Sequence, residues 1–231
     1  RYLAEGLCEA GAQVTLINRS ARMYQVRDML RERGFAVDGV VADLTDREQL
    51  DGAFQQSMEL LGGRLDILVN CAGMQKREDS VDFTREDWDA VVALNLNAVF
   101  FLSQLAAREM KKQHKGKIIN IASMLSYLGG YRVPAYTATK TAVMGLTRAL
   151  TNEWIADGIN VNAIAPGYIA TDMNRPLMED PVRNQEILSR IPAGGWGDPE
   201  SFKAVAVFLA SEASDYISGV TLPVDGGFLC R

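Results

Sequence analysis

The chain has 231 residues, of which 24 are Lys or Arg and 29 are Asp or Glu, so its formal net charge at pH 7 is −5. Apolar residues make up 48% and charged residues 23%, which excludes a disordered, collagenous or coiled-coil chain. The acidic balance, with no basic stretch interleaved with aromatic residues, argues against a nucleic-acid partner. A chain of this length is expected to form one domain over residues 1–231 around a single core.

Neither a membrane nor a metal ion is expected as a partner. The longest apolar segment, residues 90–102, contains two asparagines and is shorter than the roughly 20 residues that span a bilayer. The cysteines at positions 8, 71 and 230 have none of the spacings of a zinc site or a disulfide framework. The first residues lack the pattern of a signal peptide. We therefore expect a cytoplasmic protein.

Helical and strand patterns alternate along the chain, which predicts an α/β fold. Helices are expected at residues 1–10, 22–33, 46–61, 84–114 with at most one break, 135–156, 183–190 and 199–210. Strands are expected at residues 14–17, 36–42, 66–69, 117–122, 159–165 and 220–224. Because most of the strands are runs of Val, Ile and Leu, they should form a parallel, doubly wound sheet covered by helices on both faces.

Polar segments, or segments that contain Gly and Pro, follow five of the predicted strands. In such a sheet, ligands bind outside the carboxyl ends of the strands. One of these segments begins the long polar stretch 166–199, where only one short helix is predicted, and a loop of that length is usually functional. The candidate binding residues are therefore Asn18 and Arg19, Asp43 and Leu44, Asn70 to Gly73, Ser123, and Pro166 to Thr171.

Three side chains could form an acid/base site. Tyr136 and Lys140 lie four residues apart at the start of a predicted helix, so they share one face. The ammonium group of Lys140 is expected to favour the phenolate of Tyr136 and so to lower its pKa from the ordinary value of about 10. Ser123 follows a strand and offers a hydroxyl to orient a substrate oxygen. These groups could interconvert a carbonyl and an alcohol.

Each of these residues also has a structural interpretation, because Tyr and Lys at this spacing occur on many helices and Ser is common in turns. The context favours the catalytic interpretation: NCAG follows one strand, PGYIAT follows another, and Asn95 stands between apolar runs. With these features the whole chain resembles the short-chain dehydrogenase/reductase family. The resemblance implies a single-domain, Rossmann-like fold.

The resemblance also implies a catalytic set of Ser123, Tyr136, Lys140 and Asn95. In that family the tyrosine is the general acid in reduction, and the serine orients the substrate oxygen. The lysine lowers the pKa of the tyrosine and contacts the nicotinamide ribose. The asparagine holds a water molecule in the proton path.

A nicotinamide cofactor is implied in the same way. The matching residues are Asn70, Ala72 and Gly73 beneath the ribose, Asp43 and Leu44 at the adenine, Tyr136 and Lys140 at the nicotinamide, and Pro166, Gly167 and Thr171 over nicotinamide and pyrophosphate. Cys71 stands where the family has a second Asn.

The choice between NADP and NAD depends on the end of the first predicted strand. Family members that use NAD have an Asp there, which binds the ribose 2′-hydroxyl. This chain has Asn18 followed by Arg19, and a guanidinium can pair with a 2′-phosphate. We therefore expect NADP, with NAD as the alternative. Arg19 could also be a solvated residue at a helix start.

Several stretches narrow the substrate class. IINIASMLS, VNAIAPGY and IPAG resemble the sugar-acid branch, similar to 2-deoxygluconate and gluconate dehydrogenases. Two alternatives stay open: a 3-oxoacyl-thioester reductase, and a cofactor-free interaction protein of the same fold. Lys76, Arg132 and Arg175 are candidates for a substrate carboxylate, although each is typical of a surface cation. Gly195 stands where the family often has Arg. The resemblance also implies a homotetramer or homodimer.

The family begins with a strand and a Gly-rich turn that binds the pyrophosphate, and no such segment occurs in these residues. The missing strand would lie between those ending at Ile17 and Val69. We therefore expect a gap between these two strands, or another segment in that place.

Overall fold

Helices and strands alternate along the computed structural model, which describes residues 1–231 apart from the side chain of Met173. The strands are β1 (Val14–Asn18), β2 (Val37–Val41), β3 (Ile67–Asn70), β4 (Gly116–Ile121), β5 (Ile159–Pro166) and β6 (Thr221–Val224). The helices are α1 (Tyr2–Glu9), α2 (Met23–Glu32), α3 (Arg47–Leu60), α4 (Arg85–Val92), α5 (Ala98–Gln113), α6 (Pro134–Trp154), α7 (Arg175–Glu179), α8 (Pro181–Arg190) and α9 (Ser201–Ala210).

The strands form two hydrogen-bonded groups. β3, β4, β5 and β6 make a parallel sheet in that order, while β1 pairs in parallel with β2 alone. No ladder joins β1 to β3 in the part of the chain that the structure describes. The gap expected between these two strands is therefore present.

Helices cover both faces of the sheet, as predicted for a doubly wound fold. Consecutive residues of β4 point to opposite faces. Ile118 packs in a cluster with side chains of α3, α5 and α6, whereas Ile119 packs with Phe202 and Leu209 of α9. Both isoleucines are fully buried. Each face of the sheet therefore has its own apolar core.

The segment 166–199 contains more helix than predicted. A short helix, α7, precedes α8, and the two are separated at Asp180, which has an extended backbone. Extended backbone is favoured there because Pro181 follows. The side chain of Asp180 caps α8 by accepting hydrogen bonds from the backbone N–H groups of Val182 and Arg183. The five residues of α7 are too few for a helical period to be visible in the sequence.

The chain from Arg85 to Gln113 is one long helix in which α4 and α5 are joined by a π-helical turn, Ala93–Asn97. By length and composition alone this helix could cross a membrane, and 44% of its most apolar window is buried inside the protein. Its bounds agree with the helix predicted over residues 84–114, and the π-helical turn continues it where a break was allowed. Ala98, Leu102 and Ala106 lie in the main core cluster, as expected for a core helix of a globular domain.

A chain of buried side-chain hydrogen bonds fixes α5 and α6 against the sheet. Nδ2 of Asn70 donates to Oδ1 of Asn120 at 2.9 Å and to Oγ of Ser103 at 3.0 Å. Nδ2 of Asn120 donates to Oγ1 of Thr147 at 3.0 Å, and Thr147 donates to the carbonyl of Val143. Buried polar groups must be paired in this way, so the network permits few other arrangements of these helices.

On the other face, α1 packs closely on α9. A Cβ on Gly6 would lie 2.8 Å from Cα of Lys203, so only glycine allows this approach. The neighbouring Glu5 is 4% exposed, and its carboxylate lies 3.0 Å from Nζ of Lys203 and pairs with Arg33. With Arg1 at 3.5 Å, this buried carboxylate has three cationic partners, and a buried charge requires such pairing.

Candidate active site

The candidate site lies where the parallel strands end. In the register of the sheet, Asn70 of β3 is paired with Asn120 of β4, and Asn120 with Ala163 of β5. The residues that follow these strands therefore lie along one edge of the sheet. They include Cys71 to Gly73, which are exposed, and Ser123, which is 7% exposed.

Ser123 is held by the short 3₁₀ turn that follows β4. Its Oγ accepts a hydrogen bond from the backbone N–H of Leu125 at 3.1 Å, and its own N–H donates to Oγ of Ser126 at 3.3 Å. Ser126 Oγ in turn donates to the carbonyl of Lys140 at 2.6 Å. The turn is thus tied to α6, which carries the other two predicted catalytic side chains. Ser126 was not among the predicted site residues, although Ser-x-x-Ser is similar to a capping box.

The phenol of Tyr136 and the hydroxyl of Ser123 lie near each other. Burial of the phenol raises the pKa of Tyr136 above its ordinary value, and the neighbouring Ser123 opposes this rise only in part. The expectation that the pKa of Tyr136 is lowered is therefore wrong for this structure. Nζ of Lys140 lies 5.7 Å from the centre of the Tyr136 ring, and burial outweighs any effect of its charge.

Lys140 is buried on α6 beneath the strand end. Its side chain donates to the carbonyl of Ile121 at 2.5 Å, and the residue is 3% exposed. Burial lowers the pKa of Lys140 to about 8, because the charged form loses its hydration. An ammonium group has three N–H donors, so two remain after the bond to Ile121. A Cβ on Gly73 would lie 3.6 Å from Nζ, which places the exposed Gly73 backbone beside this group.

Asn95 connects the long helix to the loop that follows β3. It lies in the π-helical turn and is fully buried. Its Oδ1 accepts from the backbone N–H of Met74 at 2.9 Å, and its Nδ2 donates to the carbonyl of Met74 at 2.9 Å. The same Nδ2 lies 3.4 Å from Oγ1 of Thr139 on α6. π-Helical turns are frequent at functional sites, and this one aims the amide at the strand end.

The residues predicted at the adenine end lie after β1 and β2. Asn18 uses its Oδ1 to accept from the backbone N–H of Ser20, and Arg19 is exposed, with Nη1 3.8 Å from the carboxylate of Asp43. Hydrogen bonds from the N–H and hydroxyl of Thr45 lower the pKa of Asp43, with a smaller contribution from Arg19. Leu44 has its side chain in the main core cluster, so only its backbone faces the edge.

The other residues predicted to bind the cofactor differ in burial: some are exposed at the edge of the sheet and some are buried. The side chain of Asn70 is buried in the network of hydrogen bonds that it forms with Ser103 and Asn120. Its Oδ1 has no hydrogen-bond partner among the described residues. Ala72 and Gly73 are exposed at the edge, as is Thr171. Pro166 ends β5 and Gly167 follows it, where a Cβ on Gly167 would lie 2.6 Å from Cα of Asp225. Gly167 is thus required by close packing against the segment after β6.

The candidate cations for a substrate carboxylate are all paired with protein carboxylates. Lys76 lies 2.8 Å from Asp87, Arg132 lies 2.8 Å from Glu78 and 3.0 Å from Asp79, and Arg175 pairs with Asp172. Arg132 also has a positive φ of 61°, which is uncommon for a residue other than glycine. Among the described residues, no group of His, Cys, Asp and Glu could hold a metal ion.

Comparisons with known proteins agree on one family. A family model described as "Enoyl-(Acyl carrier protein) reductase" matches residues 1–229. The chain is 49% identical over 230 residues to the 2-dehydro-3-deoxy-D-gluconate 5-dehydrogenase of Dickeya dadantii (strain 3937), covering 99% of this chain and 90% of the relative. It is 40% identical over 227 residues to the gluconate 5-dehydrogenase of Gluconobacter oxydans (strain 621H), covering 97% and 88%.

A solved structure is similar over the whole chain. The gluconate 5-dehydrogenase of Burkholderia cenocepacia J2315, in complex with NADP and tartrate, superimposes with a TM-score of 0.94 at 40% identity, and the match covers 100% of this chain and 90% of that one. The expected Rossmann-like fold is therefore confirmed, since the relatives and the solved structure match almost the full length of this chain.

The contacts of Asn95 predict a local effect on the loop after β3. Replacing Asn95→Ala removes both hydrogen bonds to Met74 and should destabilise the protein by about 2–4 kcal/mol. Hydrogen exchange at the amide of Met74 should become faster, measured by mass spectrometry of peptides from the loop. Asn97→Ala, in the same turn but exposed, is the matched control and should change neither quantity. Equal exchange in both variants would show that Asn95 does not hold the loop.

Proposed function

Because this chain belongs to the short-chain dehydrogenase/reductase family, we propose that it is an NADP-dependent oxidoreductase that interconverts a ketone and a secondary alcohol on a sugar acid. The observation that carries the proposal is the placement of Ser123 beside Tyr136, with Nζ of the buried Lys140 5.7 Å from the centre of the Tyr136 ring. The curated relatives described above are sugar-acid dehydrogenases by name, which supports the substrate class.

The chemistry at this pair is a proton transfer to the substrate oxygen. NADPH, when bound, supplies the hydride that the carbonyl carbon accepts. With its pKa above the ordinary value, the hydroxyl of Tyr136 is protonated at neutral pH and can donate its proton to the carbonyl oxygen. In the direction of oxidation, the same oxygen accepts the proton of the alcohol. The hydroxyl of Ser123 holds the substrate oxygen beside the phenol.

The residues around this pair fit a nicotinamide cofactor. Nζ of Lys140 lies beside the exposed Gly73 and has two N–H donors left after its bond to Ile121, so it suits ribose hydroxyl groups. Asn95 has both polar atoms engaged by the Met74 backbone, and we propose that it acts as a positioning residue for this loop. Its role in holding a water molecule stays a prediction.

The choice of NADP is supported at the adenine end. Arg19 is exposed and only loosely paired, because its guanidinium lies 3.8 Å from Asp43. It is therefore free to form charge-assisted hydrogen bonds with a 2′-phosphate. Asn18 is uncharged and would not repel that phosphate. The related Burkholderia structure contains NADP, in agreement with this assignment.

Assembly and compartment are also proposals. We propose a homotetramer or homodimer, because α5 exposes Phe101 and the end of α6 is followed by the exposed Ile155. The main support for this assembly is the resemblance to the family, whose members are commonly tetramers built through the long helices. We propose a reducing, cytoplasmic compartment because the cysteines are all free, with Cys71 and Cys230 exposed.

The substrate class is tested by a panel of carbonyl compounds with NADPH. We expect five- or six-carbon keto-acids of the sugar series to be reduced with a higher kcat/KM than acetoacetyl thioesters. A panel in which the thioester is the better substrate would identify an oxoacyl reductase instead. Absence of NADPH binding, followed by nicotinamide fluorescence, would favour a cofactor-free protein of the same fold.

Tyr136→Phe removes the transferable proton and leaves the rest of the ring in place. We expect kcat to fall by about 10²–10⁴-fold, the range typical of a lost general acid, while the Kd for NADPH stays within about twofold. Tyr216→Phe is the matched control, because that tyrosine is fully exposed. Turnover of Tyr136→Phe close to that of the control would exclude Tyr136 as the general acid.

Arg19→Ala should weaken NADPH far more than NADH, since only NADPH carries the phosphate that a guanidinium pairs with. We expect the Kd for NADPH to rise by about 10–100-fold, from the loss of hydrogen bonds to a charged group. Fluorescence titration with both cofactors measures the difference. Arg85→Ala, another exposed arginine, provides the control. If both cofactors weaken equally, Arg19 has a structural role.

A further inference from the structure

Helix α8 packs on the residue that follows Ser123. Met124, the next residue, is buried in an apolar cluster with Ile187 of α8 and with Ile191, which follows that helix. Phe228, after β6, completes the buried part of this cluster. The position of α8 is therefore linked through Met124 to the turn that carries Ser123.

The polar contacts of α8 are almost all internal. Its cap, Asp180, adjoins it, Arg183 pairs with Glu186, and Ser189 donates to the carbonyl of Glu186. Among the described side-chain hydrogen bonds, one links α8 to a residue beyond the helix and its cap. In that bond, Nε1 of Trp196 donates to Oδ1 of Asn184 at 2.7 Å.

Trp196 is itself firmly attached to the framework of the sheet. Its ring lies 5.4 Å from that of Tyr168 in an edge-to-face arrangement, and Tyr168 lies 5.3 Å from Phe228 in the same way. The next residue, Gly197, donates to the carbonyl of Tyr168 and accepts from the N–H of Ala170. This segment therefore extends the end of β5, while α8 is attached to it through Asn184.

We propose that Trp196 is a positioning residue that holds α8 over Ser123 and thereby sets the affinity for the substrate. Apolar packing of α8 on Met124 is not directional, whereas the bond from Nε1 fixes both the distance and the rotation of the helix. Gly195, which stands where the family often has Arg, has no side chain that could bind α8. The hydrogen bond to the helix comes from the next residue, Trp196. The inference rests on the proposed function only for the identity of the substrate.

Trp196→Phe tests the proposal, because it keeps an aromatic ring in the cluster and removes the N–H donor. We expect KM for the keto-acid substrate to rise by about 3–10-fold, as for the loss of one hydrogen bond, with kcat changed less than twofold. The Kd for NADPH should not change. Trp88→Phe, at a half-exposed tryptophan on α4, is the matched control.

The partner of the bond gives a second, independent pair of variants. Asn184→Leu removes the acceptor and should reproduce the rise in KM, whereas Asn184→Asp keeps an oxygen acceptor and should stay near the wild-type value. The double variant Trp196→Phe with Asn184→Leu should be no worse than either single variant, because the same bond is lost. Additive effects, or no rescue by Asp, would overturn the proposal.

A readout without substrate separates this inference from the proposed function. Trypsin can cleave at Arg190–Ile191, and this bond should be cut several-fold faster in Trp196→Phe than in Trp88→Phe, as followed by intact mass. Faster cleavage in a protein that fails to reduce sugar keto-acids would support the positioning role and reject the substrate class. Unchanged cleavage and unchanged KM in an active enzyme would reject the positioning role alone.

Discussion

The parallel pairing of β3, β4 and β5 is the constraint on which the site depends. Because these strands run in one direction, the residues after Asn70, Ile121 and Pro166 meet at one edge. The buried side-chain hydrogen bond between Asn70 and Asn120 also stabilises this register. A slip of one residue would break this bond and turn the apolar side chains of β4 to the wrong faces. The strand register that specifies the fold therefore also places the residues of the candidate site next to one another.

Burial acts on the two titratable groups of the site in opposite directions, because one is charged when protonated and the other is neutral. It raises the pKa of Tyr136 and lowers that of Lys140 to about 8. The tyrosine thus keeps a proton for reduction at neutral pH, and the lysine becomes easier to neutralise as the pH rises through 8. Nζ of Lys140 lies 5.7 Å from the centre of the Tyr136 ring. In this structure, desolvation of the phenol has a larger effect on the pKa of Tyr136 than the attraction between this ammonium group and a phenolate.

Backbone groups near the site are held by side chains from distant segments. Asn95 of the π-helical turn binds the backbone of Met74, and Ser126 binds the carbonyl of Lys140. On the far side, Trp196 holds α8 through Asn184. The loops around the candidate site are thus fixed by a few directional hydrogen bonds, in addition to the buried network under the sheet. Support of this kind holds side chains in a defined geometry.

The sequence by itself determined the alternation of strands and helices, the doubly wound class and the residues at the strand ends, because hydrophobic period and strand-end polarity are local signals. The spacing of four placed Tyr136 and Lys140 on one helical face, but the catalytic interpretation of these two and of Ser123 depended on the neighbouring motifs and on the resemblance to the family. Only the tertiary structure decided the direction of the Tyr136 pKa, the burial of Leu44 in the core and the pairing of Arg132 with Glu78. Burial, packing and long-range ion pairs depend on residues far apart in the chain, and no local pattern records them.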